Sequence, residues 1–209
     1  TIAPHGELTD NSICWGKCNN GSTILEPHRI TVIDDGKFKE SRISSAFCKK
    51  KLPEDDETHY GEVDKFGRYN FGLTDGVVLL GDSAELIART GPNIYKKTNF
   101  SSTECMKNNN YISNETSITP DEKDRFIQMQ HRNNPEYDIE NGFGTMIIIS
   151  DLRKENTNRN FLDVTHFLQG LYNEDCNHAC DWKIFNWTNP EKCNDECDIV
   201  IKPNDLMSK

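Results

Sequence analysis

Residues 51–89 read KLPEDDETHYGEVDKFGRYNFGLTDGVVLLGDSAELIAR, a stretch that changes character as it runs. It opens on Pro53, Glu54, Asp55, Asp56 and Glu57, five successive residues that cannot enter a core and therefore form a solvated acidic loop. From Phe66 to Leu73 the pattern alternates, with Tyr69, Phe71 and Leu73 on one face and Arg68 and Asn70 on the other, as in a half-buried strand. Thr74-Asp75-Gly76 then carries the chemistry of a tight hairpin, and the apolar run Val77–Leu80 follows at once. Glu85–Arg89 begins a third such segment after Gly81-Asp82. Successive short strands joined by tight turns predict a mainly β fold: an antiparallel β-sandwich with long loops and one or two short helices, and not an α/β enzyme.

Outward from that centre, Arg29–Ile33 (RITVI) and Arg42–Phe47 (RISSAF) read as strands around the turn Asp34-Asp35-Gly36. Thr90–Ser117 has little apolar periodicity and reads as a loop. Thr119-Pro120-Asp121-Glu122 is a helix start, with Thr119 as cap, Pro120 at the first helical position and Glu122 closing a capping box; the helix should run to about His131, before Asn133-Asn134-Pro135. Phe143–Ile149 is the most continuous apolar run and predicts a fully covered central strand. Phe161–Tyr172 has the spacing of an amphipathic helix, and strands are expected over 181–188 and 198–202.

The 209 residues contain no linker rich in Pro, Gly or Ser, so residues 1–209 are read as one domain. Eight cysteines (Cys14, Cys18, Cys48, Cys105, Cys176, Cys180, Cys193 and Cys197) stand beside four sequons, at Asn20, Asn99, Asn114 and Asn186. Together they point to the lumen of the secretory pathway, where all eight cysteines are expected in disulfides that stabilise the fold. The Cys14/Cys18 pair has a spacing that suits a metal, yet no His or third Cys lies close by in sequence to complete a zinc site. The twin Cys-x3-Cys motifs at 176–180 and 193–197 superficially match small mitochondrial helical hairpins, but the aromatic, β-prone segment Trp182–Trp187 between them does not. No apolar run approaches the 18 residues of a membrane span.

A formal net charge of −10 argues against nucleic acid as a partner and suits either simple solubility or a basic protein ligand. No nucleophile elbow, phosphate-binding loop, dinucleotide fingerprint or His-Glu-x-x-His motif is present. His178 between Cys176 and Cys180 would need a thiolate that an oxidising compartment denies it. The reading is a binding protein without catalytic residues, cofactor or metal.

The stretch THYGEVDKFGRYNFGLTDG after its acidic loop, with ITVIDDGKFKESRISSAFCKKK upstream and a cysteine-bounded strand in the last third, resembles the poxvirus immune evasion family. That family consists of secreted β-sandwich proteins and includes CC chemokine inhibitors. The resemblance implies a viral glycoprotein that binds host class I MHC heavy chain with its light chain and retains it in the endoplasmic reticulum or Golgi, blocking presentation to T cells; the alternative is a secreted decoy for basic CC chemokines. Such retention implies a retrieval receptor and a Lys-x-Glu-Leu signal, of which Lys209 would be the first residue. Sequons in use exclude their surroundings from an interface, which leaves Tyr60, Phe66, Arg68 and Tyr69 as candidate partner anchors. His59, behind Glu54, Asp55, Asp56 and Glu57, is the candidate pH sensor.

Overall fold

The computed structural model of the protein describes residues 20–38, 40–47, 72–108, 114–153, 181–188 and 197–201. The described strands are β1 (Asn20–Glu26), β2 (Arg29–Asp34), β3 (Gly81–Gly91), β4 (Ile94–Ser101), β5 (Asn114–Thr116), β6 (Gly144–Leu152), β7 (Asp181–Asn186) and β8 (Ile199–Ile201). They form one sheet in the order β5-β4-β3-β6-β2-β1-β7-β8. All pairings are antiparallel except β1 with β7, which is parallel. The helices are α1 (Gly72–Leu80), α2 (Ser102–Asn108) and α3 (Pro120–Asn133), and Glu40–Ser45 makes a short 3-10 turn. The fold is thus mainly β, but among the described residues it is a single mixed sheet with no second sheet stacked on it.

Helices cover both faces. On one, Ile24, Ile33, Ile87, Met146, Ile148 and Phe185 pack under Phe126 of α3. On the other, Leu25, Ile30, Val32, Leu86, Ile147, Ile149 and Ile184 pack under Ile43 and Phe47, Val77 and Leu80 of α1, and Cys105 of α2. Residues 146–149 are therefore buried on both sides of β6, as a continuous apolar run requires. The expected helix start is found: Thr119 Oγ1 accepts from Glu122 N–H, and Glu122 returns a carboxylate to the Thr119 N–H at 2.8 Å.

Three expectations give way. Residues 72–80 are helix α1 and not a hairpin. Leu73, Val77 and Leu80 recur at four and three residues and reach one core, so the helical stripe outweighs the turn chemistry of Asp75-Gly76. The predicted strand at 42–47 is instead the 3-10 turn and its exit, which place Ile43 and Phe47 on that same core. The expected loop at 90–117 contains the end of β3, all of β4, α2 and β5. There Pro92-Asn93 makes a two-residue hairpin in which Asn93 takes φ 56°, a conformation Asn tolerates. The predicted helix at 161–172 lies outside the described residues.

Candidate functional site: a carboxylate at the end of the sheet

Five side-chain positions lie side by side across the sheet near one end. Trp182 on β7 is opposite Gly21 on β1, Gly21 opposite Asp34 on β2, Asp34 opposite Thr145 on β6, and Thr145 opposite Ala88 on β3. Strand alternation fixes the face they share. Two residues along, Val32, Ile147, Leu86 and Ile184 belong to the core under α1 and the 3-10 turn.

In the middle of this row stand a carboxylate and a hydroxyl, both buried: Asp34 is 3% exposed and Thr145 3%. Asp34 Oδ1 accepts the Gly36 N–H at 2.9 Å, so the Asp-Asp-Gly sequence orients the carboxylate as it ends the strand. To one side the row is low at Ala88. To the other, the Trp182 indole lies against Gly21, where an added Cβ would come within 2.1 Å of the ring. The indole Nε1–H donates to Thr23 Oγ1 at 3.0 Å, which fixes the ring. Just beyond the strand ends, Lys37 Nζ sits 4.7 Å from the centre of the Phe143 ring.

The opposite face of the same sheet end is closed by α3. Gln130 Nε2 donates to the Asp34 carbonyl at 2.8 Å, and Asn133 Nδ2 to the Asn20 carbonyl at 3.0 Å. Ser22 Oγ donates to Asn133 Oδ1 at 2.6 Å, and Lys183 Nζ to the Asn133 carbonyl at 2.6 Å. Asn20 in turn grips Asp35, with N–H to Oδ1 at 3.0 Å and Nδ2 to Oδ2 at 2.8 Å.

Helix α1 packs on the face of the sheet that carries the row. It runs into β3 without a linker while burying Leu80 and Val77 and packing Leu73 on the same core, so it must double back over the sheet. A separate groove of about 550 Å³ lies at the opposite end of β2, lined by Glu26, Pro27, His28, Arg29, Ser150, Asp151 and Leu152. Within it the Arg29 guanidinium forks onto the Glu26 carboxylate at 2.6 Å through both Nε and Nη2.

The residues singled out from the sequence fall elsewhere. His59, Tyr60, Phe66, Arg68 and Tyr69 lie outside the described residues, as do Cys14, Cys18, Cys48, Cys176, Cys180 and Cys193. Cys105 is a buried free thiol and Cys197 a half-buried one, and neither forms a disulfide. Asn20 begins β1 with its amide engaged by Asp35; Asn99 lies in β4, Asn114 starts β5, and Asn186 ends β7 with Oδ1 accepting from Thr188. Sequence reasoning assigned Asp34 to a turn. The signal was present, because Ile30, Val32 and Asp34 alternate onto one apolar face.

No protein-family model matches the chain, and no curated protein matches it in sequence. Among solved structures the chain is similar to the crystal structure of the N-terminal domain of a DNA repair protein, with a TM-score of 0.55 and 16% identity over 98% of this chain and 54% of that one. At that identity the likeness concerns the fold alone. The chain spans about half the length of that structure.

Proposed function

We propose that this end of the sheet binds a purine nucleotide of the adenosine triphosphate class. The observation that carries the reading is the adjacent, buried Asp34–Thr145 pair beside a fixed indole ring. A carboxylate only accepts hydrogen bonds, and a hydroxyl both accepts and donates. Side by side they match the exocyclic amine and neighbouring ring nitrogen of adenine, whereas guanine would turn a carbonyl oxygen towards Asp34. A helix N-terminus draws anions through its unpaired N–H groups, and α1 packs on the face of the sheet that carries this pair. In sequence, glycines at 61, 67 and 72 lead up to it.

The net charge of −10 argues against nucleic acid itself as the ligand. The test is calorimetric titration of the 209-residue chain with ATP and GTP. Micromolar binding of ATP with preference over GTP is expected, and Asp34→Asn should weaken ATP by at least about tenfold, because a hydrogen bond to a charged group is worth about 1.5–3 kcal/mol. No binding at millimolar ATP, or an unchanged Asp34→Asn variant, overturns the reading.

A second reading follows from the sequence resemblance: a lumenal binder of class I MHC or of a basic CC chemokine. In its favour stand the acidic charge and the four sequons. It ranks below the first because the described central strands are covered by helices on both faces, whereas the resemblance implies an open sandwich face. Surface plasmon resonance against class I MHC and a CC chemokine at two salt concentrations tests it; silence towards both removes it.

A further inference from the structure

Gln130 is fully buried, and its place is reserved by Gly144, where an added Cβ would come within 2.2 Å of Nε2. Gln130 spends its donor on the backbone of the proposed base-reading residue, and its own Oε1 has no partner. A buried amide with an orphaned acceptor calls for an explanation. Together with the Asp35 N–H, which donates to the Asn20 carbonyl at 3.2 Å, that donor fixes the plane of the peptide between Asp34 and Asp35. That peptide sets two further contacts: the turn in which Gly36 N–H meets Asp34 Oδ1, and the position from which Asp35 holds Asn20. One helical turn on, Asn133 holds the facing strand end at Asn20 and Ser22. Both amides belong to α3, on the opposite face of the sheet from the carboxylate.

We infer that Gln130 is a positioning residue for base discrimination, acting on the Asp34 carboxylate through the sheet; this rests on the nucleotide reading above. Removing the Gln130 donor leaves this peptide held by the longer bond from Asp35 N–H to the Asn20 carbonyl alone, so it tilts and the carboxylate with it; the preference for a base bearing an exocyclic amine then falls while phosphate binding is untouched.

The experiment compares the affinities of ATP and inosine triphosphate, which carries a carbonyl in place of the amine, for the full chain, Gln130→Met and Gln130→Glu. The parent is expected to prefer ATP by at least about tenfold. Gln130→Met should lower that ratio about fivefold or more with inosine triphosphate affinity unchanged. Gln130→Glu should lose the ratio at pH 8 and recover it at pH 5.5, where a buried glutamate, its pKa raised by burial, is protonated and donates as the amide did. A parent that binds neither nucleotide, or binds both equally, sinks the nucleotide reading and this inference with it. A discriminating parent with an unchanged ratio in Gln130→Met, or equal loss for both nucleotides, overturns the inference alone. Should Gln130→Met not fold, absence of the pH-dependent recovery in Gln130→Glu overturns it.

Discussion

Lys97 is a lysine on a buried strand position, 7% exposed, and it is tolerable there because Nζ lies 3.2 Å from Glu85 and 2.5 Å from Glu122. Burial pushes the Glu122 carboxyl up, but the bonds from Lys97 and from the Thr119 N–H outweigh it and hold its pKa below the ordinary value. A depressed folded pKa stabilises the fold above the unfolded value of about 4.3 and is lost as pH falls through the folded one. Thermal melts of Glu122→Gln should therefore show less stability than the parent at neutral pH and converge with it below about pH 4; a constant difference down to pH 2 would contradict this. Thr119→Ala should cost about 1 kcal/mol in denaturant unfolding, the usual worth of such a cap. The capping box was legible because it is local, four residues naming one another. The Lys97 ion pairs were not, since Glu85 and Glu122 converge on it only after β3, β4 and α3 have assembled.

At the level of elements, the sequence spoke where a single segment decides its own state. The all-apolar interior of β6 and the alternation of β2 needed no partner to be recognised. It misled where packing outvoted local chemistry. Asp75-Gly76 is good turn sequence, yet α1 forms because Leu73, Val77 and Leu80 share a stripe against β3 and β6. Strand β4 hid because polar Lys96, Lys97, Thr98 and Asn99 mask its alternation. The parallel β1–β7 pair joins residues about 160 apart in sequence and cannot be read from either strand. Its contact is tight, so Gly21→Val, which drives branched carbons into the Trp182 ring, should destabilise the chain by about 1–3 kcal/mol or more. Unfolding in urea measures this, and a neutral Gly21→Val would show that the indole does not lie against β1. The candidate site escaped notice for the same reason as β1–β7: Asp34, Thr145, Gly21 and Trp182 come from four strands and meet only in the sheet.

For the whole molecule, helices on both faces of one mixed sheet replace the open face that a protein-binding sandwich would use, and they leave the sheet end as the place where unlike chemistry converges. Free thiols at Cys105 and Cys197 fit this architecture, each packed against a different face of the sheet. Titration of denatured, unreduced protein should find at least these two thiols, and full oxidation of all eight cysteines would contradict it. In the proposed complex a nucleotide lies between Asp34, Thr145 and the start of α1. Hydrogen exchange of the chain with and without saturating ATP reads this directly. Slowed exchange is expected at residues 33–36, 144–146 and 72–75 together, with β8 unaffected. Unchanged exchange at all three segments, or protection confined to the hairpin groove around residues 26–29, would contradict it.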